Sequence, residues 1–131
     1  MQKRIILDSN FLFVPFQFQI DVLKELESIM GRFEPIVLST TVEELKKLAT
    51  TKSEKTRRQT SSALKLTEKC TLVTAEKSPE DTYDDVVLRK AKEWGCPVAT
   101  NDGNLRKRLR NGNIPTIYLR QRKRLELQGY I

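Results

Sequence analysis

The chain has 131 residues, 38% hydrophobic and 31% charged, with a net charge of +7 and no histidine. This is enough chain for one domain with a buried core and a highly charged surface, while the missing histidine excludes Ser–His and Cys–His triads and His-based acid–base pairs. No apolar run approaches the ~20 residues of a spanning helix, so no membrane association is expected; Asp8 interrupts MQKRIILDSNFLF too early for a secretory signal.

RIIL (4–7) reads as a strand. Residues 18–30 place Ile20, Leu23, Leu26, Ile29 and Met30 at helical spacing, and Gly31 ends that helix. PIVLS (35–39) reads as a second strand, followed by a helix to about Leu48 that Thr40 or Thr41 can cap. Residues 53–69 read as a helix and CTLVTA (70–75) as a third strand. Pro79 fits the first turn of a helix over 80–94, with Gly95 at its C-cap. PVATN (97–101) is a fourth strand, NLRKRLR (104–110) a short basic helix, and PTIYL (115–119) a fifth strand. Alternation of this kind predicts an α/β fold: a three-layer α/β/α sandwich around a mainly parallel five-stranded sheet. There is no repeat, low-complexity segment or interdomain linker, so residues 1–131 read as a single domain.

The two cysteines, Cys70 and Cys96, with no CxxC pair, make neither a disulfide framework nor a zinc site. Buried or idle thiols in a reducing cytoplasm are expected. Charge is distributed unevenly. Residues 1–102 balance 16 Lys/Arg against 16 Asp/Glu, whereas residues 103–131 hold eight basic residues and one acid, Glu126. The whole excess therefore lies in the C-terminal segment 104–131, through Arg106, Lys107, Arg108, Arg110, Arg120, Arg122, Lys123 and Arg124. A local basic field is the usual footprint of a polyanion site. A solvated surface or a disordered tail is the alternative, and the interleaved Tyr118, Leu119, Leu125, Leu127 and Tyr130 argue for packing instead.

Four acids stand where an open α/β sheet gathers its functional groups, near the carboxyl ends of strands. Asp8 closes the run IIL, and Asp102 follows PVAT. Glu44 lies in TTVEELKKL, just after PIVL, and Asp84 near the start of YDDVVLRKAKEWG. Singly, each has an ordinary role: a turn cap, an exposed helix acid, a charge favoured at a helix N-terminus, a turn dipeptide. Together, with no histidine or Cys cluster beside them, they suit Mg²⁺ or Mn²⁺, hard cations that take oxygen ligands.

The strings LDSNFLF, VEELKKL, YDDVVLRKA and VATNDGNLRKRL resemble, in order, the signature blocks of the PIN domain, a metal-dependent nuclease family, across essentially the whole chain. The resemblance matches Asp8, Glu44, Asp84 and Asp102 to the family's catalytic and metal-holding acids, and Asn10 and Thr100 to the polar residues that support them. Asp85 is the neighbouring alternative to Asp84; adjacent helical residues point in different directions, so the two are not expected to act alike. The resemblance implies endonucleolytic hydrolysis of single-stranded or loop RNA, leaving a 5′-phosphate and a 3′-hydroxyl. The basic residues Arg106, Lys107, Arg110, Arg120, Arg122, Lys123 and Arg124 would hold the RNA backbone. Two branches of the family fit: the rRNA-processing nucleases, which imply a ribosome-assembly partner, and the VapC-type toxins, which imply an antitoxin. Asn104 stands where the family often has a further Asp, which keeps a second reading open, a catalytically weak RNA-binding or assembly protein on the same fold. Phe11, Phe13, Phe16 and Phe18 flank the acids and read as core or homodimer contacts rather than stacking platforms.

Overall fold

The computed structural model describes residues 3–51 and 53–130. Its strands are β1 (Lys3–Leu7), β2 (Phe33–Leu38), β3 (Thr71–Val73), β4 (Val98–Ala99), β5 (Thr116–Arg120) and β6 (Arg124–Gln128). Its helices are α1 (Ser9–Leu12), α2 (Val14–Phe18), α3 (Val22–Met30), α4 (Ser39–Leu48), α5 (Glu54–Thr67), α6 (Tyr83–Trp94) and α7 (Gly103–Asn111). The strands form one sheet in the order β3-β2-β1-β4-β5-β6. β1 to β5 run parallel, and β6 returns antiparallel to β5.

Successive strand residues face opposite sides of the sheet, and the buried residues divide accordingly. Ile5, Leu7, Val37, Ala99 and Ile117 join one apolar cluster with Phe11, Leu12, Leu26, Leu45 and Ala63. Ile6, Ile36, Leu38 and Val98 join a second with Val86, Val87, Ala91, Leu105 and Leu109. Helices α1 to α5 therefore contribute to one face, and α6 and α7 cover the other, giving the expected three layers.

The chain winds outward from β1 to β2 and β3, returns through α6 to β4 beside β1, and then winds the other way to β5. β1 and β4 thus flank the point where the winding direction reverses. At such a switch the flanking loops splay apart and leave a crevice at the carboxyl ends of the strands.

Several boundaries differ from those expected. The helix expected over 18–30 starts at Val22, because Gln19 takes a left-handed backbone at φ 56° and Asp21 accepts the Lys24 N–H at 3.2 Å as N-cap. Gly31 does end it, at φ 72°. Neither Thr40 nor Thr41 caps α4; the helix begins at Ser39 directly from β2, and both threonines are buried within its first turn. Pro79 is not in α6, which starts four residues later at Tyr83. There Thr82 and Asp85 form a reciprocal capping box that satisfies two end N–H groups at once. The sheet has six strands, not five, because part of the basic C-terminal segment folds back as β6. Among the described residues no helix is long and apolar enough to cross a membrane.

Candidate active site

Backbone hydrogen bonding carries β1 and β4 together to their ends. The Ile6 N–H donates to the Pro97 carbonyl at 3.0 Å, and the Asp8 N–H donates to the Ala99 carbonyl at 3.0 Å. This pairing sets Asp8 beside Thr100. The Thr100 hydroxyl lies 2.8 Å from Asp8 Oδ2 and 3.2 Å from Asn10 Oδ1, two acceptors for one proton, and it accepts the Asp102 N–H at 3.1 Å. Asn10 Oδ1 also accepts the Asn101 N–H at 3.0 Å, which fixes the direction of its amide. Asn101 Oδ1 in turn accepts the Leu119 N–H at 2.8 Å and so ties the loop to β5. Thr100 and Asn10 thereby connect Asp8 to the segment that carries Asp102. Asp102 caps α7 by accepting the Leu105 N–H on Oδ1 at 2.9 Å.

Asp8 is 2% exposed, and its carboxylate makes no capping bond into α1. Burial raises its pKa from 3.8 to about 7. The Thr100 hydrogen bond opposes that rise, while the charges of Asp84 and Glu44 add to it. Glu44 is also held above its ordinary value, first by partial burial and then by Asp84, against a hydrogen bond from Ser9. Asp84 is raised by partial burial and by Asp102, with the Arg108 charge opposing. The four carboxylates therefore act on one another from four separate elements of the fold: the end of β1, α4, the first turn of α6 and the cap of α7. Among the described residues no three His, Cys, Asp or Glu side chains are grouped so as to hold an ion between them. The acids are linked in pairs: Asp8 with Glu44, Asp8 with Asp84, Glu44 with Asp84, and Asp84 with Asp102.

Asp85 behaves differently from its neighbour. Its Oδ2 accepts the Thr82 N–H at 2.9 Å, and its Oδ1 pairs with Arg108 at 2.8 Å. The Thr82 N–H and then Arg108 hold its carboxyl below the usual range. Asp85 is thus occupied in capping α6 and bridging to α7, while Asp84 faces the other acids.

The basic residues divide by position. The Arg106 guanidinium lies 3.5 Å from the centroid of the Tyr118 ring, joining α7 to β5. Arg122 and Lys123 sit in the exposed β5–β6 turn, where Gln121 and Arg122 take φ values of 54° and 59°. Arg120 and Arg124 are cross-strand partners, and Glu126 relieves their repulsion by pairing with Arg120 at 2.9 Å. Because β5 is parallel to β4, this turn stands at the same end of the sheet as Asp8 and Asp102. Lys107 is exposed on α7. Arg110 does not join the acids. It lines a cleft of about 300 Å³ with Asn113, Ile114, Gln128, Gly129 and Tyr130, by the amino end of β5. The basic segment is consequently a folded helix and hairpin, not a tail.

Of the flanking aromatics, Phe11 is fully buried, Phe13 and Phe18 pack partly against the core, and Phe16 is 41% exposed. Sequence reasoning missed the contributions of Ser9 and Asn101, although both lie in the polar strings that follow β1 and β4. It also missed the pairing of Arg108 with Asp85, which depends on how α6 and α7 dock.

Residues 5–122 match the family model described as a PIN like domain. The chain is 32% identical to ribonuclease VapC4 of Methanocaldococcus jannaschii, covering 98% of both chains. It is 28% identical to ribonuclease VapC9 of Archaeoglobus fulgidus, covering 92% of this chain and 85% of that one. A solved structure of the PIN domain endonuclease Utp24 superimposes with a TM-score of 0.80 over 98% of this chain and 92% of that one, at 22% identity, which is a likeness of fold.

Proposed function

This chain belongs to the PIN-like domain family, and from that membership we propose that residues 1–131 act as one divalent-metal-dependent endoribonuclease domain. The observation that carries the reading is the electrostatic state of Asp8. A buried carboxyl whose strongest neighbours are a hydroxyl, a backbone amide and two other carboxylates holds its charge poorly on its own. A bound cation would let such a set keep its charge.

Asp8, Glu44, Asp84 and Asp102 would hold Mg²⁺ or Mn²⁺. No cluster of three is needed for that: Mg²⁺, for one, keeps several waters and is usually bound through one or two carboxylates plus substrate phosphate oxygens. Bound there, the ion would neutralise the phosphate, acidify water and stabilise the leaving oxygen of a phosphodiester. The chain's own residues do the positioning. Thr100 and Asn10 orient Asp8 and brace the 100–102 segment through the bonds described above. Capping at Thr82 and at Asp102 fixes the first turns of α6 and α7. Arg106, Lys107, Arg120, Arg122, Lys123 and Arg124 would bind the RNA backbone without reading sequence.

Between the two branches that the sequence left open, we infer the VapC-type one, with an antitoxin protein as partner. The VapC relatives match over nearly the whole chain, whereas the Utp24 likeness concerns the fold. The test is incubation with single-stranded and structured RNA in Mg²⁺, Mn²⁺ or EDTA, with the new ends mapped. Cleavage in metal that stops in EDTA and leaves 5′-phosphates is the expected result. RNA bound but uncut in every metal would favour the RNA-binding reading instead.

A further inference from the structure

A second set of cations stands beside the acids, outside the C-terminal basic segment. Lys47 lies one turn after Glu44 on α4, and Lys77 lies in the segment between β3 and α6. Tyr83 is the first residue of α6, immediately before Asp84. The Lys47 ammonium is 5.4 Å and the Lys77 ammonium 5.3 Å from the centroid of the Tyr83 ring. Ring faces attract cations through their quadrupole, so one half-buried ring gathers two ammonium groups that would otherwise repel each other.

Among the described residues, neither lysine makes a strong ion pair. Lys47 meets Glu43 at 3.6 Å with both side chains more than half exposed, a geometry of little worth in water. Lys77 donates to the Ser78 carbonyl at 3.5 Å. Both can therefore turn to a phosphate.

Their place in the sheet gives them a direction. α4 follows β2 and Lys77 follows β3, whereas the basic hairpin follows β5, with β1 and β4 between them. β2 and β5 are three strand spacings apart, about 14 Å at ~4.8 Å each. The direct line between the two cationic groups crosses the ends of β1 and β4, after which Asp8 and Asp102 stand.

We propose that Lys47 and Lys77, gathered on Tyr83, form a second phosphate-binding subsite that holds the RNA on the opposite side of the cut from the basic hairpin. The subsite rests on the ribonuclease reading. It makes the binding track two-sided, with the acids at its middle.

The test uses RNA oligonucleotides with one fixed cleavage position, shortened stepwise from either end, and compares wild type with Lys47→Gln/Lys77→Gln. Matching circular dichroism and melting temperature establish that the double variant is folded. Wild type should lose affinity on shortening from both sides. The double variant should become indifferent to shortening on one side only, with KM raised and kcat near the parent value. The slope of its log affinity against log salt should flatten by roughly 1.4, two contacts at ~0.7 each for single strands. A double variant that responds to both sides as wild type does, or that weakens equally on both, overturns the subsite alone. Wild type that cuts no RNA in Mg²⁺ or Mn²⁺ overturns the ribonuclease reading, and the subsite with it.

Discussion

Asp8 has no basic side chain among the groups that act on it most, and its protonation is accordingly tied to folding. Its carboxyl has an ordinary value of 3.8 and a folded value of about 7. The folded protein therefore holds this proton more tightly than the unfolded chain does. Its stabilising share is full below about pH 4 and is lost as pH rises toward 7. Asp8→Asn should then raise stability in metal-free buffer at pH 7.5, by up to about 4 kcal/mol, since each tenfold change in proton affinity is worth ~1.4 kcal/mol. The gain should disappear at pH 4, and urea unfolding at the two pH values measures the difference. Thr100→Val probes the support of that carboxylate. It removes the hydroxyl that contacts Asp8, Asn10 and the Asp102 N–H while keeping the side-chain shape. Catalytic efficiency should fall by about 10- to 100-fold, the usual cost of removing a group that orients a metal ligand. An unchanged rate would mean that Asp8 orients itself.

At the scale of elements, the first turn of α6 separates two adjacent aspartates into different roles. Asp84→Asn should remove RNA cleavage, because the side chain faces the other acids. Asp85→Asn should leave cleavage near the parent rate while lowering the melting temperature, as should Thr82→Ala, which costs about 1 kcal/mol through the lost cap. The reverse pattern in a cleavage assay would move the site to Asp85. This division also marks what the sequence could and could not disclose. The apolar runs of β1 and β2 are buried on both faces, so they read clearly, and the acids at the ends of β1 and β4 were recognisable from their position after those runs. The start of α6 was not legible from Pro79, because the capping box between Thr82 and Asp85 sets the boundary instead. β6 was hidden because its LELQ pattern lies among cations and becomes a strand through pairing with β5. Arg110 looked equivalent to Arg106 in sequence. A helix rises about 1.5 Å per residue, and the four-residue step carries Arg110 toward the far end of the sheet.

Over the whole molecule, strand direction sets several of the charged groups at one end of the sheet. The acids of β1 and β4 and the turn between β5 and β6 share it, and Arg110 lies away from it. Replacing Arg106, Arg122 and Lys123 with Gln should flatten the salt dependence of RNA affinity by roughly 2 logarithmic units per tenfold salt, at ~0.7 per phosphate. Arg110→Gln should leave that slope unchanged. Fluorescence anisotropy across a salt series measures both, and equal effects would show that the surface field acts without regard to position. Whether the linked carboxylates make a metal-dependent ribonuclease is decided by the cleavage rate at saturating RNA for wild type and Asp8→Asn, each in Mn²⁺ and in EDTA. Wild type should cleave in Mn²⁺ alone, and Asp8→Asn should bind RNA as tightly but cut none. Undiminished cleavage in EDTA, or by Asp8→Asn, would contradict the metal-dependent reading.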